Sequence, residues 1–76
     1  MQELLEYLVK SIVKNKDDVR VETKQEGKTQ ICYCYVNKAD LGAVIGKGGA
    51  TANAIRTIVK SKNSRDRVIV KFNSCD

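Results

Sequence analysis

The chain has 76 residues, of which 42% are hydrophobic and 30% charged, and carries a formal net charge of +5. That is room for one small domain with a modest core, which argues against a large enzyme cleft and against disorder alike. No apolar run approaches the ~20 residues of a membrane span, and Met1-Gln2-Glu3 lacks the basic-then-apolar order of a secretion signal, so the cytoplasm is the expected location.

Leu4, Leu5, Leu8, Val9, Ile12 and Val13 recur at helical spacing, with Glu3, Glu6, Lys10 and Lys14 off that stripe. The pattern predicts an amphipathic helix over residues 2–14. Residues 19–24 alternate with period two and predict a strand; residues 25–28 read as a turn, and residues 29–36 as the second strand of a hairpin. Asn37 is placed to cap a short helix over 38–45, with Asp40 in its first turn and Gly46 at its end. A longer helix is expected from Gly49 to Lys62 on a stripe of Ala52, Ile55, Ile58 and Val59. Residues 62–66 form a polar loop, and residues 67–73 a third strand with Val68, Val70 and Phe72 on one face. The order α-β-β-α-α-β predicts an α+β fold, a three-stranded sheet with helices packed on one face, as a single domain over 1–76.

In the second strand Cys32, Cys34 and Val36 point one way, and Ile31, Tyr33 and Tyr35 the other. Two cysteines two apart on a strand cannot comfortably form a disulfide, and no fourth ligand is placed for zinc, so buried thiols are expected and no metal. Cys75 is expected to be free. With the thiols under the helices, Tyr33, Tyr35 and Ile69 would share the open sheet face as candidate protein-interface residues.

The charge is uneven. Residues 1–42 balance seven Lys/Arg against seven Asp/Glu, whereas residues 43–76 set Lys47, Arg56, Lys60, Lys62, Arg65, Arg67 and Lys71 against Asp66 and Asp76. This positive half opens at Val44-Ile45-Gly46-Lys47-Gly48-Gly49. Glycines let a ligand approach the backbone closely, the following helix offers N–H groups and a positive dipole end, and Lys47 adds a cation. The guest this suits is a nucleic-acid phosphate. A nucleotide-hydrolase loop is excluded: only three residues separate Gly42 from Gly46-Lys47 where four are needed, Gly48 occupies the place of the magnesium-binding hydroxyl, and the segment before Gly42 is the start of a helix rather than a strand.

The remaining Gly-x-x-Gly turn between two helices resembles that of a KH domain, in which such a loop clamps four backbone nucleotides. The α-β-β-α-α-β order is similar to the type II, bacterial arrangement. The stretch Ala39-Asp40-Leu41-Gly42-Ala43-Val44-Ile45-Gly46-Lys47, followed by Ala54-Ile55-Arg56-Thr57, resembles the small stand-alone KhpA family more closely. One departure is Ala52, where many KH domains place a bulky aliphatic, which would make the groove wall shallower. The resemblance implies an RNA chaperone in the cytoplasm, a larger KhpB-like KH protein as partner, and a role in cell-envelope growth and cell shape.

The expected RNA-binding residues are Val44, Ile45, Gly46, Lys47, Gly48, Gly49, Arg56 and Lys60. Backbone N–H groups from Lys47 to Gly49 would face phosphates of single-stranded RNA, Val44 and Ile45 would form an apolar floor, and Arg56 and Lys60, four apart on one helix face, would track the backbone. With no histidine and no nucleophile–base pair, no enzyme is expected, nor any cofactor or small-molecule substrate. A second reading, from a different class, stays open: a protein-interaction or dimerisation module that uses the open sheet face and has a merely structural glycine turn.

Overall fold

The computed structural model describes residues 2–62 and 67–75. Its elements are α1 (Gln2–Lys10), a 3-10 turn (Lys16–Asp18), β1 (Arg20–Glu26), β2 (Thr29–Val36), α2 (Lys38–Ile45), a 3-10 turn (Lys47–Gly49), α3 (Ala50–Ser61) and β3 (Arg67–Ser74). The strand order is β1-β2-β3, with β1 antiparallel and β3 parallel to the central β2. The polar loop expected after Lys62, including Arg65 and Asp66, lies outside the described residues, as do Met1 and Asp76.

Leu5, Val9 and Val13 from α1 and the segment after it, Val44 from α2, and Ile55 and Val59 from α3 meet Val21, Cys32, Cys34, Val36, Val68 and Val70 of the sheet in one core. Each fully buried aliphatic side chain is worth ~1.5–3 kcal/mol relative to exposure. The alternation of β2 is as expected: Cys32, Cys34 and Val36 are completely buried. On the open face Ile31 is also buried and Tyr33 and Tyr35 are half-buried, with the Lys71 ammonium 6.0 Å from the centre of the Tyr33 ring. Of the expected patch, Ile69 is the most open member.

Two helical expectations are corrected. The first helix stops at Lys10 rather than Lys14, and Ile12 turns outward, 37% exposed. The cause is Asp40, a buried carboxylate in the first turn of α2. Its Oδ1 accepts from the Lys14 backbone N–H (3.2 Å), and its Oδ2 from the Asn15 backbone N–H (3.0 Å) and side-chain amide (3.0 Å). A continuing helix would need those backbone N–H groups for carbonyls of its own previous turn. The Asn15 N–H is the main influence holding the Asp40 carboxyl below the usual carboxylate range, assisted by the Lys14 N–H and the Asn15 amide against the opposing pull of burial. In α3, Ile58 stands 41% exposed while Ala52, Ile55 and Val59 are buried, so the core stripe is narrower than four apolar residues suggest.

Burial raises the Cys34 thiol to about 11, with Cys32 and Glu6 adding to the effect, and it raises Cys32 as well; Cys75 is exposed. A thiol-specific reagent at neutral pH is therefore expected to modify Cys75 alone in the native protein and all three cysteines after denaturation. Mass spectrometry of the labelled chain reads this directly, and rapid native labelling of Cys32 or Cys34 would contradict the packing described.

Candidate nucleic-acid interface

The turn between α2 and α3 is built by its glycines. Asn37 caps α2 as expected, its Oδ1 accepting from the Ala39 N–H at 2.8 Å, and Gly46 ends the helix with its N–H on the Gly42 carbonyl at 2.8 Å. Gly46 has φ 76° and ψ 175°, a region that essentially only glycine enters. A Cβ built there would lie 2.8 Å from Thr51 Cβ and 2.9 Å from Thr51 N. Gly46 is thus required by the packing of the turn against the first residues of α3, not by the approach of a ligand. Gly48, at φ 63°, is the opposite case: a Cβ there would meet nothing within 4 Å.

The N–H groups of the turn divide in the same way. Gly49 donates to the Gly46 carbonyl at 3.2 Å and Ala50 donates to that of Lys47. The donors of Lys47 and Gly48, which open the 3-10 turn, have no acceptor within it. The Gly49 N–H, expected to face a phosphate, is engaged within the turn in this structure. Lys47 is exposed. Ile45 is 37% exposed beside the turn, but Val44 is completely buried, so it supports the turn from beneath and cannot be a floor for bases. Ala52, 2% exposed, belongs to the same core and forms no part of a groove wall.

From the turn a single stripe runs along α3: Gly49, Asn53, Arg56 and Lys60, spaced four, three and four apart. The side chain of Asn53 is the nearest group to a Cβ built on Gly49, at 3.9 Å. Asn53 Oδ1 accepts from Arg56 Nη1 at 3.2 Å, and Arg56 Nε donates to the Val70 carbonyl at 3.1 Å. The Arg56 guanidinium also lies over Phe72, 5.4 Å from the ring centre. Arg56 and Lys60 line a furrow of about 360 Å³ between α3 and the edge strand β3, completed by Val68, Ile69, Val70 and Lys71. By the 1.5 Å rise of a helix, Arg56 stands about 10 Å and Lys60 about 16 Å along α3 from Gly49.

A larger hollow of about 580 Å³ lies elsewhere, lined by Asp17, Asp18, Glu22, Arg20 and Tyr35 among others. Its three carboxylates would repel a phosphate, so charge and not volume selects the furrow beside α3. Asn53 and Lys71 were missed in the sequence. The spacing of Asn53 from Gly49 and Arg56 was a usable signal; the position of Lys71 on an edge strand beside α3 was not. Among the described residues no group of three or more His, Cys, Asp or Glu could hold a metal ion, and no helix is long and apolar enough to cross a membrane.

Two helices joined by a Gly-x-x-Gly turn, flanking a mixed three-stranded sheet in the order α-β-β-α-α-β, define a KH domain. The family model described as KhpA/KhpB, KH domain, matches residues 2–73, and the chain belongs to that family. It is 43% identical over 72 residues to the RNA-binding protein KhpA of Chlamydia trachomatis, covering 95% of this chain and 92% of that protein. It is 48% identical over 63 residues to the RNA-binding protein KhpA of Mycobacterium bovis, covering 80% of this chain and 76% of that protein. The RNA-binding protein KhpA of Streptomyces coelicolor is 43% identical over 65 residues, with 86% and 82% covered. No solved structure matches the chain.

Proposed function

We propose that this chain is a single RNA-binding domain that grips one strand of RNA by its backbone at Lys47 and Gly48 and lays the following nucleotides along the furrow between α3 and β3. The observation that carries this reading is the stripe from Gly49 through Asn53 and Arg56 to Lys60, which joins the exposed glycine turn to the furrow. These two N–H groups and the Lys47 ammonium take one phosphate, while Lys60 and Lys71 supply cations at the far end. The furrow floor is the apolar edge of β3, so bases are held by contact and little by hydrogen-bonded readout. The names of the relatives support the same partner class.

The expected result is salt-dependent binding of unstructured RNA. About three or four neutralised phosphates give a slope near −2 to −3 in a plot of log K against log salt. Titration by fluorescence anisotropy at several salt concentrations measures it. A slope near zero, or a preference for duplex, would remove the proposal.

Within this reading, family membership supports cytoplasmic action as an RNA chaperone beside a second copy or a larger KhpB-like KH protein, with consequences for cell-envelope growth and cell shape. The open sheet face with Tyr33, Tyr35 and Ile69 is the surface offered to such a partner; its tyrosines are half-buried, which limits the apolar area it contributes.

A further inference from the structure

Arg56 and Lys60 share one face of α3, but their surroundings differ. Lys60 is exposed and makes no hydrogen bond or ion pair among the described residues. Arg56 is half-buried and held from three sides: Nε on the Val70 carbonyl at 3.1 Å, Nη1 on Asn53 Oδ1 at 3.2 Å, and the guanidinium over the Phe72 ring at 5.4 Å. Two of those anchors lie on β3 and one on α3. We infer that Arg56 is a positioning residue that ties the edge strand to the helix and sets the width of the furrow, and that this tie, more than its charge, is what it contributes to RNA binding. This inference rests on the furrow being the RNA site.

The chemistry of the side chain fits that task. A guanidinium presents a planar fork of five donors and can stack on a ring while it donates in its own plane; an ammonium is a point charge that can do neither. The Val70 carbonyl points out of the sheet edge, where an unpaired acceptor invites either water or another strand. Arg56 closes that acceptor. These contacts engage two of its five donors, so the tie to Val70 and Asn53 holds whether or not a remaining N–H meets the RNA, and pulling the side chain away would free the Val70 carbonyl and uncover Phe72.

The test separates a tie from a charge. RNA affinity and its salt slope are measured for Arg56→Lys, Arg56→Gln, Lys60→Gln, Asn53→Ala and Phe72→Leu. As a tie, Arg56→Lys weakens binding about as much as Arg56→Gln, by roughly five- to tenfold, because neither restores the fork. Asn53→Ala and Phe72→Leu, which alter no charge, weaken it at least about threefold for the same geometrical reason. Lys60→Gln instead lowers the salt slope by about 0.7, the increment of one phosphate contact on a single strand. Wild-type affinity in Arg56→Lys, together with a slope lowered by about 0.7 in Arg56→Gln, would overturn the inference. If the Arg56 variants do not fold, Asn53→Ala and Phe72→Leu decide, and unchanged affinity in both overturns it. A further readout needs no variant: the Arg56 Nε–H signal in NMR should exchange slowly with water in the free protein and stay protected on adding RNA, whereas loss of that protection in the complex would show the tie to Val70 broken and overturn the inference. Failure of the RNA reading itself would look different, as wild-type protein without salt-dependent binding.

Discussion

Exchanging Lys47 and Gly48 together for aspartates is expected to lower RNA affinity about a hundredfold, or about 2.7 kcal/mol, while the domain stays folded. The substitution removes one cation and places two anions at the two N–H groups where a phosphate is proposed to sit. Folding tolerates it because a Cβ on Gly48 meets no atom within 4 Å. The remaining cost is that of a non-glycine at φ 63°, about 1 kcal/mol, or roughly 4–8 °C in Tm for a domain of this size. Asp is among the residues that visit that region most readily. A matched control exists in the same chain: Gly27, at φ 61°, is also in open space, and Lys28 follows it, so Gly27→Asp with Lys28→Asp makes the same change of charge in a similar backbone conformation. The control should lose no more than about threefold, the share of generic screened charge. A folded Lys47/Gly48 double mutant that binds RNA at wild-type strength would place the RNA elsewhere.

Gly46 gives the converse result. Gly46→Ala should destabilise the protein by about 2–4 kcal/mol and lower Tm by roughly 10–20 °C. The backbone there lies in a glycine-only region, and the added methyl would be driven against the Cβ and backbone nitrogen of Thr51. Adding Thr51→Ala relieves the hydroxyl contact but leaves Cβ and backbone in place, so recovery should be partial. Thermal melts by circular dichroism measure both variants. A Gly46→Ala protein melting within about 2 °C of wild type would show that the turn relaxes freely, and the separation of a structural glycine from a binding glycine would fail. Together the two experiments divide a motif that reads as one unit into a fold-bearing position, Gly46, and a contact pair, Lys47 and Gly48.

Much of this protein was legible in its residues because local patterns carried it. The alternation in β2 set Cys32, Cys34 and Val36 on the core face, Asn37 marked the start of α2, and glycine clustering marked the turn. Short-range signals of this kind, with the periodicity of the other helices and strands, set the element order, and the uneven charge and the KH-like turn pointed to the class of ligand. What tertiary structure alone decided follows from long-range contacts with no local signature. The end of α1 is set by Asp40, some 25 residues away, which takes the N–H groups that Lys14 and Asn15 would have given to the helix. Val44 and Ile45 are equally apolar in sequence, yet one is sealed in the core and the other stands beside the turn. Arg56 looks like any solvated helix cation until β3 returns beside α3 and offers it the Val70 carbonyl and the Phe72 ring. Charge and periodicity report what a side chain is; only the packing of distant segments decides what it is tied to.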